Sequence, residues 1–193
     1  MKRILILALA LLMCGAALAE AGPAFRDGVS WRMTLNEVLG VEKPAEYELE
    51  SLGAAQKLEI EDVKINGVKC DLDYAFLDGA LVAAHCEFDL EDIAPATISA
   101  ALDEGFGARG EGDAGFLCDL MGAMTGMDFS LTAALRAGDY YYDWTDAGGA
   151  YAALTNRLSD DGDDIDLFCF DAPAILAGYS VSEPAPALNP DGF

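Results

Sequence analysis

Basic residues and histidine are scarce in this 193-residue chain. It holds 11 lysines and arginines against 34 aspartates and glutamates, with one histidine, and its formal net charge is −23. Nucleic acids and anionic membranes both require a basic surface, so this deficit argues against either as a partner. One histidine and no Cys-x-x-Cys pair give little support to a zinc site or a thioredoxin-like redox site. No catalytic motif is recognisable, and we expect no cofactor and no bound metal.

A long apolar run is also missing, because the stretch 4–13 is about half as long as a membrane-spanning helix. Lys2 and Arg3 precede it, and small residues ending at Ala19 follow it, which are the parts of a secretory signal peptide. We therefore predict cleavage after Ala19, a secreted or periplasmic (cell-envelope) location, and no transmembrane segment in the mature chain. A lipobox outline ends at Cys14, but Met13 stands where a small residue is expected, so lipidation is the less favoured alternative.

The remaining chain is predicted to form one α+β domain over 20–179, followed by a disordered tail over 180–193 that is proline-rich and has no periodicity. Its elements follow the order helix, strands, helices, strands, which favours an antiparallel meander sheet packed against helices on one face. The halves 20–92 and 93–179 each combine helix and hairpin, so a diverged repeat is a second interpretation.

Helix boundaries are marked by capping residues. Thr34 and Glu37 form a capping box, and Gly40 is placed to end that helix. Pro95 begins a second predicted helix that ends near Gly107. Further apolar stripes predict two more helices. One contains Leu117, Leu120, Met121 and Met124, and the other contains Phe129, Leu131, Ala134 and Leu135.

Strict alternation of acidic and apolar residues predicts a strand at 46–50, and a three-strand meander is predicted over 58–88. Asn66-Gly67 and Asp78-Gly79 supply its turns, and a bulge is expected near Glu61-Asp62.

Two registers are open for the second turn. A three-residue loop at 77–79 points Val82, Ala84, Cys86 and Phe88 inward, whereas a two-residue loop points Leu81, Ala83, His85 and Glu87 inward. The first buries no polar group and is preferred.

Four cysteines remain after Ala19, and an even number in an exported chain favours disulfides. In the preferred register Cys70 lies directly opposite Cys86, within disulfide reach. Elimination then pairs Cys118 with Cys169.

Later strands are predicted around Tyr140 to Trp144, at 151–155 and around Ile165 to Cys169, the last with apolar residues on both sides as in an interior strand.

Two segments are similar to a known family. Residues 25–40 read FRDGVSWRMTLNEVLG and residues 74–81 read YAFLDGAL. The first resembles the opening helix of small exported bacterial proteins of the BamE and β-lactamase-inhibitory-protein kind, with Arg32 in place of the usual glycine, and the second resembles the hairpin that follows. The resemblance spans about residues 25–88. It implies an α+β sheet packed on helices and a protein-binding role without catalysis.

Three features suggest chemistry, each with a plainer interpretation. His85 is predicted on the wet face, and no serine is placed to form a triad with it. Tyr140, Tyr141, Tyr142 and Trp144 lie beside Asp139 and Asp143 and are the best candidate binding residues, although alternate members are expected to fill the core. The acidic run from Asp160 to Asp166 has its glycine too early for an EF-hand, which favours a solvated loop over a calcium site.

We therefore expect a non-catalytic exported module that binds another exported or envelope protein. The alternative is a secreted hydrolase that uses paired carboxylates on a carbohydrate or a peptide. A deep cleft that holds two close carboxylates would favour the hydrolase, and a shallow sheet surface would favour the binding module.

Overall fold

The computed structural model describes residues 24–26, 28–65, 67–110, 114–127, 138–156, 158 and 164–181. Several predictions lie outside these residues, namely the signal peptide 1–19, the helix around Phe129 to Leu135, the acidic run from Asp160 to Asp163, and the tail beyond 181. Within the described part, no helix is long and apolar enough to cross a membrane.

The described residues form an α+β fold, as predicted. In chain order the elements are β1 (Ala24–Arg26), β2 (Val29–Ser30), α1 (Leu35–Glu42), β3 (Glu48–Leu52), β4 (Ala55–Ile65), β5 (Val68–Leu77), β6 (Ala80–Asp89), α2 (Pro95–Phe106), α3 (Gly115–Thr125), β7 (Tyr141–Thr145), β8 (Tyr151–Thr155), β9 (Asp164–Phe170) and α4 (Ala172–Val181). The short strands β1 and β2 pair with each other. The other seven form one antiparallel sheet in the order β3-β4-β5-β6-β9-β8-β7.

The first helix confirms the capping box. Thr34 Oγ1 accepts a hydrogen bond from the Glu37 backbone N–H at 3.4 Å, and the Thr34 N–H donates to Glu37 Oε2 at 2.8 Å. The predicted end at Gly40 is wrong, since α1 continues to Glu42 and closes on Lys43 in the left-handed conformation (φ 47°). The second helix begins at Pro95 and ends before Gly107, as predicted.

The register of the second hairpin combines the two alternatives. Leu77 pairs with Ala80, so Asp78-Gly79 is a two-residue loop with both residues at positive φ, and the predicted three-residue loop is wrong. A second irregularity follows, because Ala75 pairs with Ala83 while Phe76 pairs with Leu81. The additional residue in β6 shifts by one position the alternation of its side chains between the two faces of the sheet. Ala84, Cys86 and Phe88 therefore still face the core as expected, whereas Val82 belongs to the opposite face.

Two apolar clusters lie on opposite faces of the sheet. The first contains alternate residues of β4, β5, β6 and β9 together with side chains of α1 and α2, and the second contains side chains of α3 and α4. β9 is an interior strand, as predicted, and supplies both, since Leu167 and Cys169 belong to the first cluster and Phe168 and Phe170 to the second. The prediction that helices cover one face of the sheet is not confirmed, because the apolar clusters on both faces contain helix side chains.

The cysteine predictions are corrected by the same register. Cys70, Cys86, Cys118 and Cys169 are all free thiols. Leu72, not Cys70, is the cross-strand partner of Cys86, so the two cysteines are diagonal neighbours in the first cluster. Cys169 points into the first cluster, while Cys118 lies on α3, which packs against the second. Since the sheet separates them, a bond between Cys118 and Cys169 does not fit this geometry.

Candidate functional site

The most distinctive surface is the part of the sheet face that α3 and α4 leave open. Side chains alternate along each strand, so the residues between those of the first cluster share the opposite face. We call this surface the acidic face. Its charged side chains are Glu48 and Glu50 on β3, Lys57, Glu59 and Lys64 on β4, Lys69, Asp71 and Asp73 on β5, His85, Glu87 and Asp89 on β6, and Asp164 and Asp166 on β9. Nine of these thirteen side chains are carboxylates.

Lys57 is a cation near the centre of this face and is surrounded by acids. Its Nζ lies 2.6 Å from Glu59 Oε2, 3.4 Å from Glu50 Oε2 and 3.9 Å from Asp73 Oδ2. Partial burial opposes the charge, but the three carboxylates outweigh it, so the pKa of Lys57 is raised. The lysine therefore stays charged and holds three neighbouring strands together.

His85 is another cation of this face and bridges two aspartates. Its Nε2 donates to Asp166 Oδ1 at 2.9 Å, its Nδ1 lies 3.5 Å from Asp73 Oδ2, and its ring stacks on Phe168 at 4.4 Å. Burial disfavours the charged ring, but the bonds to Asp166 and then Asp73 prevail and raise the pKa of His85 to about 9. The side chain is 22% exposed. His85 is thus an imidazolium at neutral pH and offsets part of the acidic charge.

Asp166 is the most deeply buried acid of the acidic face. Its side chain is 3% exposed, and its second oxygen, Oδ2, has no hydrogen-bond partner among the described residues. Ligand atoms of His85, Glu87 and Asp166 lie within 4.8 Å of one another, which is close enough to consider a metal. However, an imidazolium whose two nitrogens face carboxylates has no lone pair to offer. The arrangement fits an internal ion network better than a metal centre.

A groove of about 650 Å³ adjoins the acidic face at the end of β3. Six of its lining side chains are carboxylates and two are cations. They are Glu42, Glu46, Glu48, Glu59, Glu61 and Asp62, with Arg26 and Lys64, and Pro44, Ala45, Tyr47, Ile60 and Val63 complete the wall. Glu48 and Glu59 belong to both the groove and the acidic face, so the two surfaces are continuous. The bulge that sequence analysis expected near Glu61-Asp62 forms part of the wall, with Asp62 at φ 58°.

One buried carboxylate of the groove is fully engaged. Glu42, whose side chain is 6% exposed, pairs with Arg26 Nη2 at 3.3 Å and accepts a hydrogen bond from Tyr74 Oη at 2.5 Å. Burial and the Glu42 charge raise the pKa of Tyr74, so this phenol stays a hydrogen-bond donor. Because both oxygens of Glu42 have partners, the residue acts as a structural ion pair and is not poised as a general acid.

The aromatic residues proposed as a binding site are packed within the fold. Trp144 is 2% exposed and its Nε1 donates to Asp103 Oδ1 at 2.9 Å. Tyr140 and Tyr142 stack on each other against the first cluster, as the core interpretation expects. Tyr141 faces the other side and hydrogen-bonds to Tyr151 Oη. A binding role for these four residues stays a prediction, because their described contacts are made within the fold.

Sequence reasoning placed His85 on the correct face but missed its partners. Asp166 lies 81 residues from His85 in the sequence. The two side chains meet because β9 pairs with β6, and no local sequence pattern predicts that pairing. Asp73 could have been found, since the hairpin register pairs it directly with His85. The groove was missed because Glu46 and Tyr47 were assigned to a strand, whereas they lie before β3 and, with Pro44 and Ala45, form one wall.

Comparison with protein-family models, with curated proteins and with solved structures finds no match to this chain.

Proposed function

We propose that this protein is a non-catalytic binding module of the exported or envelope compartment whose acidic groove and acidic face hold a positively charged segment of another protein. The observation that carries this proposal is the groove, in which six carboxylates face two cations beside a further acidic surface. Potentials of one sign are focused in such concave sites and raise the local concentration of oppositely charged partners.

Charge balance inside the site supports a cationic partner. Arg26 is already paired with Glu42 on the groove wall, and Lys57 and His85 are paired within the acidic face. Glu46, Glu48 and Glu61 are exposed and, within the described residues, are engaged in no ion pair. These three carboxylates are the ones available to a lysine or an arginine. The resemblance to the BamE and β-lactamase-inhibitory-protein kind is compatible with a protein-binding role but names no partner.

The hydrolase alternative needs two close carboxylates with different roles, one protonated and one ionised. The buried carboxylate of the groove, Glu42, is occupied by Arg26 and Tyr74. The other groove acids are arranged along strands β3 and β4 as a charged surface. We therefore favour binding, and the hydrolase becomes an outcome of the test.

The test measures binding of a lysine-rich peptide to the full chain by calorimetry at two ionic strengths. Changing Glu48→Gln and Glu61→Gln together should weaken binding about twofold to thirtyfold, since each exposed pair is worth about 0.2–1 kcal/mol. The matched control combines Glu104→Gln on α2 with Asp119→Asn on α3, which removes two exposed charges elsewhere and should leave affinity unchanged. Affinity that ignores both salt and the groove variant would contradict the proposal, as would turnover of a glycan or peptide that the variant abolishes.

A further inference from the structure

Strand β3 is a free edge of the seven-stranded sheet. It pairs with β4 on one side and is the terminal strand in the sheet order, so within the described residues nothing pairs with its outer side. Four of its five residues are exposed, the exception being Leu52. Unpaired edges of this kind are templates for another extended chain.

The two faces of this edge differ in chemistry. Glu48 and Glu50 point to the acidic face, while Leu49 points to the other and is 44% exposed. Tyr47, the residue just before the strand, is 48% exposed. Two large apolar side chains beside two acids at a free edge would be costly to leave in water without a partner. An extended chain added here would meet acids at every second position and apolar side chains at the positions between.

The β3–β4 turn holds this edge in place. Gly53 has φ +63°, and a Cβ at this position would lie 1.8 Å from the backbone oxygen of Thr125 at the end of α3. The turn therefore packs directly against α3. Lys57 also ties Glu50 to β4 at 3.4 Å. An edge that is already ordered costs little entropy when a partner strand joins it.

Hydrogen-bonding groups alternate along the edge. Leu52 and Ala55 flank the two-residue turn, and in such a hairpin the flanking pair exchanges both backbone hydrogen bonds. The backbone N–H and C=O groups of Glu50 and Glu48 therefore also point toward β4. The N–H and C=O groups of Leu49 and Ser51 point outward, where an added strand could form hydrogen bonds with them.

We propose that β3 accepts an extended segment of a partner protein as an eighth strand, and that this segment alternates basic with apolar residues. The inference rests on the proposed function for the sign of the charge and adds the conformation and pattern of the ligand. The basic side chains lie over Glu48 and Glu50 next to the groove, and the apolar ones lie over Tyr47 and Leu49.

A second copy of this chain does not fit the edge. Antiparallel pairing of β3 with itself would place Glu48 and Glu50 opposite the same two acids, and two chains with net charge −23 repel each other. The chain's own C-terminal stretch 182–193 does not supply the chemistry either, because it contains no lysine or arginine. A basic segment of another protein is the occupant that complements the edge.

The test uses short peptides that alternate lysine with valine, titrated into the full chain. One analogue carries N-methyl groups on alternate backbone nitrogens, the other carries them on the complementary set, and a third has the same composition in blocks. We expect one methylated analogue to bind about tenfold or more weakly than the other, because only one set of N–H groups faces β3. The block peptide should bind weakly as well.

Each outcome separates the two proposals. If all four peptides bind alike and lose affinity in salt, the acidic surface binds cations but strand addition is wrong. If none binds at low ionic strength, both proposals are overturned. On the protein side, Ser51→Pro should remove peptide binding while Ser51→Ala retains it, with a thermal melt reporting whether each variant is folded. Should Ser51→Pro not fold, the methylated peptides still decide, because they leave the protein unchanged.

Discussion

The two faces of the seven-stranded sheet are formed by the same strands but differ in how much of their surface is covered by helices. On the first face Leu72, Tyr74 and Leu167 are fully or almost fully buried beneath α1 and α2. On the second face Phe168 and Phe170 are covered by α3 and α4, and the remainder is the acidic face. The boundary is sharp, since Phe168 stacks on His85, which is bonded to Asp166. One face supplies stability, and the uncovered part of the other presents charge.

Adjacent residues of β6 should show this contrast most strongly. Phe88 is 4% exposed in the first cluster, so Phe88→Ala should lower the free energy of unfolding by about 3–5 kcal/mol. Its neighbour Glu87 points to the acidic face, where burial and the nearby Asp164 raise the pKa of its carboxyl group. Glu87→Gln removes that repulsion and should change stability by less than about 0.5 kcal/mol or raise it slightly. Urea unfolding of both variants measures the pair, and equal losses would contradict the division between faces.

The pH dependence of stability should reveal the ion network. The pKa of His85 is raised from 6.5 to about 9 in the folded protein, so its contribution is complete below pH 6.5 and is lost as the pH rises through 9. Since a tenfold change in proton affinity is worth about 1.4 kcal/mol, the loss is on the order of 3 kcal/mol. Cysteine thiols also titrate in this range, so the measurement is the difference between the wild-type chain and His85→Gln. A difference that stays constant from pH 6 to 10 would contradict the network.

Removing the buried partner of His85 should cost less than emptying the core. Asp166→Asn keeps the shape of the side chain but weakens a charge-assisted hydrogen bond, and we expect a loss of about 2 kcal/mol at pH 7. The matched control is Asp164→Asn, two residues away on the same strand and face. If thermal melts show the same loss of stability for both variants, the hydrogen bond between Asp166 and His85 contributes nothing to stability beyond the general effect of removing a charge from this strand.

The cysteines give the smallest effect and the clearest chemical readout. If the chain is oxidised, Cys70 and Cys86 should form the link, because they are diagonal neighbours on paired strands and belong to the same cluster. Cys118 should not join Cys169, since they lie on opposite sides of the sheet. Peptide mapping of the non-reduced protein decides. A Cys118–Cys169 link would require a different arrangement of α3.

Much of the local structure was readable from particular residues. The three-strand meander over 58–88 was predicted and corresponds to β4, β5 and β6, and Pro95 with Gly107 marked both ends of α2. The second hairpin turn was not decidable, because Asp78-Gly79 suits a two-residue loop and the irregularity beyond it at Val82 has no sequence signal. The helix α4 was missed because its residues are apolar on all sides and show no stripe.

The candidate site was less predictable than the fold because it depends on distant pairing. Alternation at 46–50 predicted a strand that the structure places at Glu48–Leu52, with Glu46 outside it and Leu49 exposed as well as the acids. Nothing local showed that this strand ends the sheet. The link from His85 to Asp166 required the contact between β6 and β9. Pairing Cys118 with Cys169 followed by elimination alone, and the sequence did not show that α3 packs on the other side of the sheet from Cys169.

The central claim, that the acidic groove and the edge strand β3 bind a basic segment, is tested most directly by amide chemical-shift mapping. The lysine–valine peptide is titrated into the isotope-labelled chain at low ionic strength. The account predicts the largest shifts at 46–52 and 57–63, with small ones at Tyr140 to Trp144, and their loss when salt is added. Shifts concentrated at Tyr140 to Trp144, or none anywhere, would contradict it.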